Sequence, residues 1–133
     1  MDAEVNRITG TIIRSALRVH SGLGPGLFES VYEAVLARDL ARSGLHVERQ
    51  KAVRFEFEGM YFNEGFRADL IVQRTVIVEI KAVPQLPPVF SRQLLTYLRL
   101  LDCRVGLLLN FGTLHLRDGI KRVINSASPA PSA

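Results

Sequence analysis

Apolar side chains at Val5, Ile8, Ile12, Ala16 and Val19 recur close to every 3.6 residues, which predicts an amphipathic helix over residues 5–20. Three glycines and a proline in Ser21-Gly22-Leu23-Gly24-Pro25-Gly26 then end it. A second helix is predicted over residues 27–42, with Phe28, Val31, Tyr32, Val35, Leu36 and Leu40 facing inward and Gly44 as a left-handed C-terminal cap. Beyond Gly44 the period changes. In residues 47–57, Val53, Phe55 and Phe57 alternate with Arg54 and Glu56, as in one or two strands ended by a turn at Gly59. Residues 66–72 and 76–83 read as two further strands joined around Arg74, and Pro84, Pro87 and Pro88 break the pattern. Residues 89–101 return to helical spacing through Leu94, Leu95, Leu98 and Leu101. VGLLLNF, residues 105–111, is an almost unbroken apolar run, expected for a strand covered on both faces. A short element follows at 119–125, and SASPAPSA at 126–133 is expected to be disordered.

The order α-α-β-β-β-α-β predicts an α/β fold, a mixed sheet flanked by helices, in one domain over residues 1–125. A length of 133 residues suits a single core. No apolar run approaches the roughly 20 residues needed to span a bilayer, so no membrane role is expected. The polar, acidic start MDAEVNRITG lacks the features of a signal peptide. With Cys103 as the single cysteine, an internal disulfide and a cysteine-based zinc site are excluded, and a cytoplasmic setting is expected. Charge is uneven along the chain. The net +4 comes entirely from residue 84 onward, where Arg92, Arg99, Arg104, Arg117, Lys121 and Arg122 face only Asp102 and Asp118. Such a surplus suits a polyanion, or is simply a solvated basic surface.

The chemistry concentrates in the paired strands. In 76–83 the even positions Val76, Val78, Ile80 and Ala82 point to one face, and Glu79 and Lys81 to the other. In 66–72, Phe66, Ala68, Leu70 and Val72 read as one phase, and Arg67, Asp69 and Ile71 as the other. A three-residue loop Gln73-Arg74-Thr75 keeps apolar residues opposite apolar residues, pairing Val72 with Val76 and Leu70 with Val78. It also sets Asp69 opposite Glu79 and Arg67 opposite Lys81, with the two acids roughly 5 Å apart at Cβ. Two such anions must share a proton, pair with Lys81 or Arg67, or hold a hard divalent cation.

The stretch Asp69…Glu79-Ile80-Lys81 resembles the D…(D/E)-x-K signature of the PD-(D/E)xK nuclease superfamily. Gly26-Leu27-Phe28-Glu29-Ser30-Val31-Tyr32 is similar to the pattern that gives the GxxExxY family within it its name. The blocks LGPGLFESVYE, EGFRADLIV, VIVEIKAV, QLLTYLRLL and VGLLLNFG extend the resemblance over about residues 8–125. It implies a restriction-endonuclease-like core and a nuclease using Mg²⁺ or Mn²⁺. Asp69, Glu79 and the Ile80 backbone carbonyl would be ligands, and Glu29 a third carboxylate, direct or through water. Lys81 would orient or deprotonate the attacking water.

Gln93 and Tyr97, four apart on one helix face, resemble a Q-x-x-x-Y motif beside the active site, and with Arg67 are the expected substrate-binding residues; helix surface polars are the rival reading. Tyr32 is expected as core, His20 as a helix-capping residue rather than a ligand, and Arg67 also as a partner of Glu64 or Glu79. Phe66 departs from the tyrosine usual in the family. The resulting expectation is a metal-dependent nuclease acting on DNA rather than RNA. The rivals are an inactive nucleic-acid-binding or protein-interaction module with the same fold, and a homodimeric scaffold using the basic C-terminal surface.

Overall fold

The structure is a computed structural model and describes residues 2–126. Two helices, α1 (Ala3–Leu23) and α2 (Glu29–Arg42), precede three strands, β1 (Val47–Phe57), β2 (Met60–Val72) and β3 (Val76–Lys81). Helix α3 (Pro88–Leu101), strand β4 (Val105–Asn110), a short 3-10 turn (Leu116–Gly119) and strand β5 (Ile120–Ile124) complete the fold. The five strands form one mixed sheet in chain order. Neighbours are antiparallel except β3 and β4, which are parallel and connected by α3. The expected α/β architecture is therefore present, with the last element resolved as a turn and an edge strand.

Helices α1 and α2 cover one face of the sheet. Val5, Ile8, Ile12, Ala16 and Val19 of α1 and Tyr32, Leu36 and Leu40 of α2 pack on Leu70, Val72, Val76, Val78, Ile80, Leu107 and Leu109. Helix α3 covers the other, where Leu94 and Leu98 meet Ala68, Ile71, Ile77 and Leu108. Strand β4 is buried throughout, as its apolar run required. Among the described residues, no helix is long and apolar enough to cross a membrane. The expected disorder of 126–133 falls, apart from Ser126, outside the described residues.

Three expectations about side-chain direction and strand length need correction. Phe28, which precedes α2 as its N-cap, and Val31 and Val35 within it are exposed, at 84%, 37% and 39%. The buried arc of α2 runs instead through Tyr32, Glu33, Leu36, Ala37 and Leu40. Six apolar positions span too wide an arc to be buried together, and small Ala37 allows close approach to the sheet on the Glu33 side. Second, β2 begins at Met60, six residues before the alternating pattern, because residues 60–65 pair with β1 in an arm exposed on both faces.

Third, Phe66, Ala68, Leu70 and Val72 do not share a face. Phe66 and Ala68 pack toward α3, whereas Leu70 and Val72 pack toward α1 and α2. The pleat of β2 thus reverses at Asp69. Its neighbour across β1 is Gln50, between the pairs Arg49↔Leu70 and Lys51↔Ala68. Gln50 has φ +49°, a left-handed conformation that breaks the regular pleat there.

Candidate active site

The site forms where β2 leaves β3. Their ladder runs Val72↔Val76, Ile71↔Ile77 and Leu70↔Val78, the register that the apolar phases required. At the next position, side chains replace backbone bonds. The Asp69 N–H donates to Glu79 Oε2 (2.9 Å), and the Ile80 N–H donates to Asp69 Oδ2 (2.8 Å). Each carboxylate therefore plugs the gap by accepting a backbone amide from, or beside, the other. The pleat reversal at Asp69 is what turns its side chain toward β3.

This proximity has an electrostatic consequence. Glu79 is only 6% exposed. Burial, and then the negative charge of Asp69, push its carboxyl up to about 8, against the opposing effects of the Asp69 amide and Lys81. Without a cation, the pair meets its repulsion by keeping a proton. A Mg²⁺-type ion is held by one or two carboxylates with water filling the remaining positions, so this donor set fits such an ion. Among the described residues, no three His, Cys, Asp or Glu side chains gather as a metal-holding group.

Lys81 follows Glu79 by two residues on the same face. Its Nζ lies 4.3 Å from the centre of the Phe90 ring, a cation–π contact that orients the ammonium. Burial, and then the charges of Glu79 and Asp69, push the phenol of Tyr97 on α3 above its ordinary pKa. Its ring stacks on Phe66 at 3.9 Å, so the phenylalanine in place of tyrosine serves as a platform. Gln93 is exposed one turn earlier.

The end of β3 is pinned from two sides. Buried Asn110 accepts the Val83 N–H and donates to the Val83 carbonyl (3.0 and 2.9 Å). Gly112 lies against the same backbone, where a Cβ would stand 2.5 Å from the Val83 oxygen. From α2, Glu29 Oε2 accepts the Ala82 N–H at 3.2 Å, just past Lys81. Its approach is set by the loop before it. The Tyr32 hydroxyl donates to the Gly24 carbonyl (2.6 Å) and accepts the Leu27 N–H (3.1 Å), while its ring stacks on Phe111 at 4.5 Å. Gly26 in that loop has φ +108°, a conformation that only glycine adopts readily. The G-x-x-E-x-x-Y spacing is thus a loop clamp carrying one acid to the end of the site strand.

A scan of family models matches residues 6–123 to the PD-(D/E)XK nuclease superfamily. The chain belongs to this superfamily. Nucleases of this superfamily generally use divalent metal ions, in keeping with the paired acids described above. No curated protein and no solved structure matches the chain.

The expected residues divide within this frame. Asp69, Glu79 and Lys81 come together, with Tyr97 beside them. Glu29 lies on the Ala82 amide, and the structure shows no third acid joined to the pair as a metal-holding group among the described residues. Arg67 pairs with Glu64 and donates to the Gln50 carbonyl (3.0 Å). In β2 it stands opposite Ala52 of β1, and the β2–β3 ladder does not extend to it, so the expected Arg67–Lys81 pairing is not formed. His20 is buried with Nε2 2.9 Å from the Thr113 carbonyl, a structural contact.

Sequence reasoning missed Glu33. It is 6% exposed and close enough that its charge raises the Glu79 carboxyl further. Its oxygens contact Gln50 Nε2 (2.7 Å) and Arg49 Nε (3.3 Å). The helix pattern alone carried no signal for it, because its partners come from β1.

Proposed function

We propose that this protein is a metal-dependent nuclease of the GxxExxY kind, hydrolysing phosphodiester bonds in DNA in the cytoplasm. The supporting observation is the pair of carboxylates at the β2–β3 gap, each accepting a backbone amide, with Lys81 two residues beyond Glu79. Asp69 and Glu79, with the Ile80 carbonyl, are assigned to hold Mg²⁺ or Mn²⁺. A bound ion of this kind would offset charge on the phosphate and lower the pKa of a nucleophilic water.

The chain's own groups do the rest. Glu79 would hold such an ion as the carboxylate, its proton released to solvent. Lys81, held over Phe90, would place its ammonium beside the scissile phosphate and orient the attacking water, which would form the new P–O bond as the ester P–O bond breaks. One proton of that water would leave to solvent, and the departing oxygen would take one from solvent. Glu29 orders a water at the end of β3, and Tyr97 and Gln93 line the approach for the substrate strand. One domain, residues 1–125, carries the whole site.

The test is cleavage of labelled DNA by purified protein with Mn²⁺. Cleavage is expected in the wild type, with loss in Asp69→Ala and Lys81→Ala. Cleavage unaffected by either substitution would exclude this active site. Salt-sensitive DNA binding without metal uptake would instead support a binding module.

A further inference from the structure

We propose that Gln50 and Glu33 form a positioning pair that fixes the rotation of the Asp69 carboxylate for metal binding, an inference that rests on Asp69 being a metal ligand. The Gln50 amide nitrogen carries two hydrogens. One is given to Glu33 Oε1 (2.7 Å) and the other to Asp69 Oδ1 (3.2 Å). The opposite oxygen of Asp69, Oδ2, takes the Ile80 N–H (2.8 Å). The carboxylate is thus held at both ends, by β3 on one side and by the amide on the other.

The remote end of this chain is itself anchored. Glu33 is buried on α2, and its second oxygen accepts from Arg49 Nε (3.3 Å). The Gln50 carbonyl accepts from Arg67 Nη1 (3.0 Å), which fixes the residue from its backbone side. Gln50 makes both contacts from a left-handed backbone, with φ +49°. A non-glycine residue in that conformation is strained, and such strain concentrates where geometry serves a site.

A neutral amide suits the task for an electrostatic reason. A carboxylate at position 50 would add a third anion between two others. An ammonium would hold both acids but compete with the cation they are to bind. Glutamine supplies two directed donors and no net charge. Partners of this kind, acting through a ligand, typically set metal affinity within about 10- to 100-fold.

The experiment is calorimetric titration of the metal-free full chain with Mn²⁺, with cooperative thermal unfolding as a fold control. Gln50→Leu is expected to weaken Mn²⁺ binding by about tenfold or more. Glu33→Leu should do the same, whereas Glu33→Gln, which still offers an oxygen to the Gln50 amide, should stay near wild type. The double variant Gln50→Leu/Glu33→Leu should be no weaker than either single change, because both break one linkage.

Unchanged affinity in Gln50→Leu would overturn the proposal, and this variant decides the matter if Glu33→Leu fails to fold. Equal losses in Glu33→Gln and Glu33→Leu, or additive losses in the double variant, would also overturn it, since Glu33 would then act by its charge or as a ligand. Wild-type protein that takes up no Mn²⁺ would remove the metal reading itself. Wild-type binding matched by Gln50→Leu would remove only the positioning pair.

Discussion

Replacing Glu79 with glutamine should stabilise the metal-free protein at alkaline pH. Glu79 is almost fully buried beside Asp69, and its carboxyl is raised from 4.5 to about 8. The folded chain therefore holds a proton between about pH 4.5 and 8 that the unfolded chain has released. Stability from this group is fully present below pH 4.5 and is lost as the pH rises through 8. At about 1.4 kcal/mol per pH unit, that rise sets a ceiling of about 5 kcal/mol on the loss. The Asp69 N–H and Lys81 already act against this rise; water reaching the ionised pair screens it further, so a loss of about 2–4 kcal/mol is expected by pH 9. Glutamine offers the same amide an uncharged acceptor. Urea unfolding in EDTA from pH 5 to 9 should show wild-type stability falling while Glu79→Gln stays nearly flat from this source. Adding Mn²⁺ should reverse the order at pH 8, because a cation replaces the proton in the wild type alone. Parallel pH profiles for the two metal-free proteins would refute this reasoning.

Other outcomes follow from the same geometry. Lys81→Ala should abolish cleavage, retain Mn²⁺ binding by calorimetry, and cost only about 0.5–1 kcal/mol from the lost contact with Phe90. Tyr32→Phe leaves the Gly24 carbonyl and Leu27 N–H without their partner, and should lower stability by about 1–2 kcal/mol in urea unfolding. Gly112→Ala forces a Cβ against the Val83 backbone and should cost about 2 kcal/mol or more, with lower cleavage as the end of β3 shifts.

Much of this arrangement was legible in the residues. The 3.6-residue spacing of α1 and the leucines of α3 marked helix faces that the sheet covers, and the apolar run of β4 marked a buried strand. The register placing Asp69 beside Glu79 followed from refusing to set polar against apolar. Strand pattern failed where burial stops: residues 60–65 form an arm exposed on both faces, so no alternation was written into them. It failed again at Asp69, where the pleat reverses because a residue of another strand, Gln50, adopts a left-handed turn. The role of Glu33 was hidden for a related reason. Nothing in α2 alone distinguishes it from Glu29, and its burial depends on Arg49 and Gln50 arriving from β1.

The most direct measurement is a crystal soaked in Mn²⁺ and examined by anomalous scattering. An ion about 2.0–2.3 Å from a carboxylate oxygen of Asp69 and one of Glu79, absent from Asp69→Asn crystals, is the expected result. Strong density for Mn²⁺ elsewhere, with Glu79 still on the Asp69 N–H and Asp69 still held only by the Ile80 N–H and the Gln50 amide, would contradict the metal-centred account.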